Sequence, residues 1–209
     1  CLSLELFHLF ALIHDDIIDK AATRRNVQTS HQFIADTLYK QNHHGDLKHV
    51  GEAQAILLGD LVLSWAFRLL EESTSSMEVK EVFQNMIDEV VVGQMLDVEL
   101  MTRSHVNIHL ITQKMLLKTA GYTFIQPLLL GAHLAGANID TLQFCQSFGR
   151  SLGLAFQIQD DLLDVIGDEA TLGKDICSDL MEGKKSYIAL HCVQDKFGKD
   201  FLSVFQNVT

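Results

Sequence analysis

The stretch His14-Asp15-Asp16-Ile17-Ile18-Asp19 closes an apolar run, Leu9 to Ile13, and its pattern returns as Asp160-Asp161-Leu162-Leu163-Asp164 behind a second apolar run, Leu152 to Ile158. Each triplet therefore sits in what reads as the C-terminal half of a buried helix. On a helix the first and third carboxylates lie one turn apart on one face, about 6 Å along the axis, with the middle one rotated by about 100°. Carboxylates this close repel and take up protons unless positive charge offsets them. One such cluster reads equally well as a solvated acidic helix end. Two copies, each trailed by basic residues, are better explained by a fold that turns them toward each other. Six aspartates then form an oxygen-rich cage for hard divalent ions. Magnesium suits it best, because it takes few carboxylates and fills its other positions with water and phosphate.

The rest of the chain supplies helices to carry such a cage. Hydrophobic residues make up 47% of the sequence and Pro127 is its single proline, a balance that favours an all-α protein. Apolar spacing predicts helices from Leu2 to about Ala22, Ser30 to Tyr39, Val50 to Glu72, Met77 to about Arg103, Asn107 to Ala135, Asp140 to about Ile166 and Lys185 to Lys196. Ser75 with Glu78 reads as a capping box for the fourth of these. Gly59-Asp60 marks a place where another helix can approach closely. Gly121 and Pro127 should kink or break the fifth helix and free backbone groups near Lys118-Thr119. His43 and His44, adjacent in a polar loop, do not converge on one ion and read as solvated. No convincing strand appears, so a helical bundle with its site in the core is expected.

The basic residues indicate what the ions would bind. Arg24, Arg25, Lys118, Lys174, Lys184 and Lys185 each follow or interrupt an apolar helix where they could converge with the aspartates. Arginine binds phosphate bidentately and lysine acts as a point charge. The ligand expected is a diphosphate bridged to both clusters by magnesium. A formal net charge of -11 argues against nucleic acid as partner.

At this point a family resemblance emerges. Ala11 to Asp19 with Arg24-Arg25, and Phe156 to Asp164, resemble the first and second aspartate-rich motifs of trans-polyprenyl diphosphate synthases. Gly59-Asp60, Gly93-Gln94 with Asp97, Lys118-Thr119, Gly173-Lys174, and Ser178-Asp179-Leu180 followed by Glu182-Gly183-Lys184 match in order and approximate spacing. The resemblance covers the whole chain. It implies an isoprenoid synthase-type helical bundle, usually a homodimer, that condenses an allylic diphosphate with isopentenyl diphosphate using three magnesium ions. It also implies that Asp15, Asp19 and Asp160 ligate metal directly, with Asp16, Asp161 and Asp164 direct or through water. Arg24, Lys118, Thr119, Gln157, Lys174 and Lys184 match positions that contact the allylic diphosphate or its metals, and His8 and Arg25 match positions that hold isopentenyl diphosphate. Phe10, fifth before Asp15, resembles the chain-length determinant of synthases that stop at geranylgeranyl length, with farnesyl next; ordinary core packing is the other reading of that residue.

The remaining features bound this reading. The four cysteines are scattered, which fits a reducing, cytoplasmic setting and not a zinc site. No run of about 18 apolar residues is free of charge, so no transmembrane segment is expected. Residue 1 lies inside a helical pattern, and the stretch Phe201 to Val208 keeps apolar residues without packing partners. Residues 1–209 thus read as the central part of a single polyprenyl synthase domain, truncated at both ends. Three rivals share these features, the blandest being a structural helical bundle with acidic helix ends. A class I terpene cyclase usually replaces the second aspartate cluster with an Asn/Ser/Glu-type triad, and a non-catalytic subunit of a heteromeric synthase tends to lose aspartates from the motifs. Here both triplets are intact.

Overall fold

The computed structural model describes residues 1–103, 106–166, 186–188 and 190. Two compact units make up the chain, Cys1–Ser75 and Ser76–Thr209. Among the described residues the structure is helical apart from one two-stranded hairpin, so the all-α expectation holds.

In the first unit, α1 (Leu2–Ile18) buries Ser3, Phe7, Phe10, Ile13 and Asp16. After it come β1 (Thr23–Arg24), β2 (Val27–Gln28), α2 (Ser30–Lys40) and α3 (Leu47–Ser73). Both α1 and α2 pack on α3. The Ser3 hydroxyl donates to the Ala66 carbonyl at 2.7 Å, while at the other end of α1 the His14 ring meets the Ile56 carbonyl at 3.1 Å, so α1 and α3 run antiparallel. Gly59 explains how closely they lie, because a β-carbon there would collide with the His14 ring; this is the close approach expected at that glycine. By length and composition α3 could cross a membrane, but it carries Asp60 in its middle and buries Gly51, Ala55, Gly59, Val62, Ala66 and Leu70.

The first helix ends earlier than its periodicity suggests, at Ile18 and not near Ala22. Lys20 takes a left-handed conformation (φ 55°). The Ala21 N–H bonds the Asp16 carbonyl at 2.9 Å and the Lys20 N–H bonds the Ile17 carbonyl at 3.1 Å, the paired bonds that close a helix in a Schellman motif. The chain then makes a strand pair that periodicity could not reveal: Thr23 faces Gln28 and Arg24 faces Val27. Arg25 (φ 52°) and Asn26 (φ 62°) form its two-residue turn, whose left-handed pair matches the natural twist of a hairpin. The buried Thr29 ties the hairpin down by donating to the Ala21 carbonyl at 2.8 Å.

The second unit begins with α4 (Met77–Thr102), capped by Ser76 and not Ser75: the Ser76 hydroxyl accepts from the Val79 N–H at 3.3 Å. Asn107 caps α5 (Ile108–Met115) by accepting from the Leu110 N–H at 3.0 Å. Where a kink or break was expected, the helix widens into a π-helical segment, Leu116–Ile125, and resumes as α6 (Gln126–Leu134) with Pro127 in its first turn. A π turn accommodates an extra residue without ending the helix, and Pro127 stands where its missing N–H matters least. The last described long helix is α7 (Ile139–Ile166). The π segment packs against both α4 and α7. Leu100, Ile111 and Met115 form a core cluster, flanked by Leu96, Leu154, Ile158 and Tyr187. The final expected helix falls mostly outside the described residues.

Candidate functional site

The end of α1 presents two stripes. Leu4, His8, Ala11, Asp15 and Asp19 share one half-buried face, while Phe7, Phe10 and Asp16 belong to the buried side. The Schellman ending and the hairpin bring Arg24 back over the helix. Its Nε donates to Asp16 Oδ1 at 2.7 Å and its Nη2 to Asp15 Oδ2 at 3.1 Å. Burial pushes the Asp16 carboxyl above the ordinary carboxylate range, the Arg24 bonds only partly opposing it. Burial works against the charge on Arg24, but the two carboxylates more than reverse that and raise its basicity. Arg24, which the resemblance matches to a contact with the allylic diphosphate or its metals, bonds two aspartates of the first triplet.

Three other expected residues lie on or near this element. His8 is half-buried, and burial holds its imidazole below the ordinary histidine range, with Arg25 and Arg24 adding to the effect and Glu5 opposing it. Arg25 is exposed at the hairpin turn. Phe10 is 8% exposed, with its ring centroid 5.8 Å from Phe7 and 4.7 Å, edge-on, from His14. It lies about 140° around the helix from Asp15.

The second triplet is supported differently. Asp160 is exposed, whereas Asp161 and Asp164 are buried at 6% and 1% exposure. Asp161 accepts from Gln157 Nε2 at 3.0 Å and from the Tyr187 N–H at 3.0 Å. Burial raises its carboxyl above the ordinary range against those bonds and the field of Lys114. In the same unit Lys118 and Thr119 stand half-buried on the π segment. Lys118 Nζ donates to Asp97 Oδ2 at 2.7 Å, and Lys114 Nζ lies 3.1 Å from Asp97 Oδ1. Burial would raise the Asp97 carboxyl, but the two lysines hold it below the usual carboxylate range.

A family model described as polyprenyl synthetase matches residues 2–207. The chain belongs to the polyprenyl synthetase family. It is 33% identical, over 92% of its length and 54% of the relative's, to a short chain isoprenyl diphosphate synthase of Methanocaldococcus jannaschii. It is equally 33% identical, over 92% of its length and 55% of the relative's, to a geranylgeranyl diphosphate synthase of Sulfolobus acidocaldarius. A solved geranylgeranyl pyrophosphate synthase from Corynebacterium glutamicum, complexed with isoprenyl diphosphate and magnesium, superposes with a TM-score of 0.90 at 36% identity, covering 99% of this chain and 58% of that one. The chain thus spans about half the length of the curated relatives it matches.

Within this polyprenyl synthetase chain, the structure gathers Asp15, Asp16, Asp19, Arg24 and His8 around one helix end, and Gln157, Asp160, Asp161 and Asp164 along another. Lys174 and Lys184 lie outside the described residues. Sequence reasoning noted Asp97 but not its work, and missed Lys114 altogether; the one signal was its spacing of four from Lys118. Among the described residues no three metal-binding side chains close on a common point. The donor set nevertheless suits magnesium: hard carboxylate oxygens, few at each site, with Asp16 already committed to Arg24 and positions left over for water and phosphate.

Proposed function

We propose that the protein containing this chain is a magnesium-dependent prenyltransferase that joins an allylic diphosphate to isopentenyl diphosphate, yields geranylgeranyl diphosphate and releases diphosphate. The observation that carries this is the shared build of the two triplets. In each, the middle aspartate is buried and hydrogen-bonded, while the first is the more open to a ligand. A solvated acidic helix end has no need of such support. Family membership and the names of the relatives supply the substrate class.

In this reading Asp15, Asp19 and Asp160 hold magnesium directly, and Asp16, Asp161 and Asp164 do so directly or through water, with three ions in all. Bound magnesium supplies the Lewis-acid charge that stabilises a diphosphate leaving group. Lys118, Lys174, Lys184 and Arg24 add fixed positive charge where negative charge develops, with Thr119 and Gln157 as polar contacts. His8 and Arg25 hold isopentenyl diphosphate. The allylic C–O bond breaks to leave diphosphate and a delocalised carbocation. The alkene of isopentenyl diphosphate then forms the new C–C bond, and the released diphosphate takes the proton lost. No protein nucleophile is required, and apolar walls keep water from the cation. A homodimer is part of the proposal, supported by Val91, Val92, Met95 and Val98, which α4 leaves exposed. So is a cytoplasmic setting, supported by the free thiols of Cys1 and Cys145.

The test is to incubate the whole protein with labelled isopentenyl diphosphate, each allylic primer and magnesium, and to size the products. Geranylgeranyl diphosphate that disappears on chelation is the expected result, and absence of any condensation product would reject the reading. Phe10→Ala is expected to lengthen the product. If product length does not change, the determinant moves to the face that carries Leu4 and Ala11 with Asp15.

A further inference from the structure

Lys118 and Thr119 stand on the π segment, which is the rarer of two helical registers open to that stretch, so something must choose it. In an α-helix the Gln126 N–H would bond the Tyr122 carbonyl. Here it reaches one residue further back, to the Gly121 carbonyl, and closes the last π turn. Taking in one extra residue turns all that precedes it by about 100° round the axis relative to all that follows. The register therefore decides which way Lys118 and Thr119 face.

The side chain of that same Gln126 is tied to α4. Its Nε2 donates to Glu89 Oε2 at 3.0 Å, and the residue is 7% exposed. Gly121 makes room for the carboxylate, because a β-carbon there would stand 2.9 Å from Glu89 Oε2. The carbonyl that accepts the last π bond and the carboxylate that anchors its donor thus meet at a residue without a side chain. Glycines of the flanking helices press on the rest of the segment: Gly93 of α4 on the Lys118 backbone nitrogen, and Gly149 and Gly153 of α7 on Ile125 and Ala120. Packing of that kind is non-directional, whereas a hydrogen bond has a required geometry. We propose that Glu89 and Gln126 are positioning residues of the diphosphate site, their bond selecting the π register and so setting Lys118 and Thr119 to receive a diphosphate. This rests on the prenyltransferase reading above.

Calorimetric titration of the whole protein with inorganic pyrophosphate and magnesium tests it, with hydrogen exchange across residues 116–126 and the thermal midpoint read on the same samples. Gln126→Leu removes the donor and keeps the bulk. It is expected to weaken pyrophosphate binding about tenfold, the worth of one hydrogen bond to a charged group, and to speed exchange in the π segment. Glu89→Gln combined with Gln126→Glu rebuilds the bond with donor and acceptor exchanged, and should bring both readouts back to within about threefold of the parent. Should Gln126→Leu not fold, Glu89→Gln alone, which keeps only a neutral acceptor, should weaken binding about threefold. A merely structural pair would lower the thermal midpoint and leave the affinity of the folded protein alone, and that result overturns the proposal. So does a loss of affinity that the exchanged pair fails to recover, or one without any change in exchange across the segment. If the unsubstituted protein fails to bind magnesium pyrophosphate, the prenyltransferase reading fails and takes the diphosphate role with it, while the exchange rates report separately on the register.

Discussion

Asp16 and Asp161 hold the same place in the two Asp-Asp-x-x-Asp clusters and are buried alike, at 6% exposure each. They are held by different chemistry. Asp16 is paired with a cation, Arg24, which also reaches Asp15. Asp161 is held by neutral donors, the Gln157 amide and the Tyr187 N–H, and beyond them feels the field of Lys114. The first triplet therefore has one of its negative charges balanced within the protein. In the second, the bonds described for the middle carboxylate come from uncharged donors. Repetition of a motif in sequence does not imply repetition of its support.

The largest expected effect comes from breaking the charged support. Arg24→Met strands the Asp16 carboxylate in a buried position, and we expect a loss of about 3 kcal/mol in unfolding free energy, measurable by urea denaturation. A loss no greater than that for Gln157→Leu would erase the distinction between the triplets. Next comes Asp97→Asn, which should cost about 2 kcal/mol at neutral pH by leaving two half-buried lysines on an uncharged amide.

That second deficit has a pH signature. The Asp97 carboxyl lies below its ordinary value because the lysines outweigh burial. Its stabilisation is complete above the unfolded-state value and is lost as pH falls through the lower folded one. The gap between parent and Asp97→Asn should thus close on acidification. Asp16 and Asp161 run the other way: their values are raised, so their contribution is present below the unfolded-state value and lost as pH rises through the folded one. Denaturation midpoints across an acid series read both signs, and a gap that widens in acid would contradict the assignment.

Two smaller effects complete the comparison. Gln157→Leu removes a neutral bond and should cost about 1 kcal/mol. Lys20→Gly relieves the left-handed residue that ends α1 and should stabilise the first unit by about 0.5 kcal/mol, strain relief exceeding the entropy glycine adds to the unfolded chain. A destabilised Lys20→Gly would mean that the lysine side chain itself anchors the helix end.

Much of this was legible in the sequence because it depends on local periodicity. The helices follow from apolar spacing, Asn107 announces its own cap, and Gly59 marks a close approach that the His14 ring fills. What escaped depends on backbone choices that residue type does not dictate. Lysine and arginine are poor guesses for left-handed positions, so the early end of α1 and the turn at Arg25-Asn26 left no trace. Ser75 and Ser76 are chemically alike, and only geometry selects the second. Gly121 and Pro127 flagged an irregularity without saying that it would widen rather than break the helix. Lys114 looks like any solvated lysine until Asp97 arrives from another helix, and the Tyr187 N–H on Asp161 joins residues 26 apart with no pattern between them.

The Arg24 clamp has a consequence for the ion binding proposed above. By bonding both Asp15 and Asp16, Arg24 fixes the first two carboxylates of the triplet relative to each other. An incoming ion must displace or share that grip, so the first triplet should bind bare metal weakly and bind it well only when a diphosphate arrives as co-ligand. In that proposal the arginine trades affinity for the ion alone against a fixed arrangement of the carboxylates.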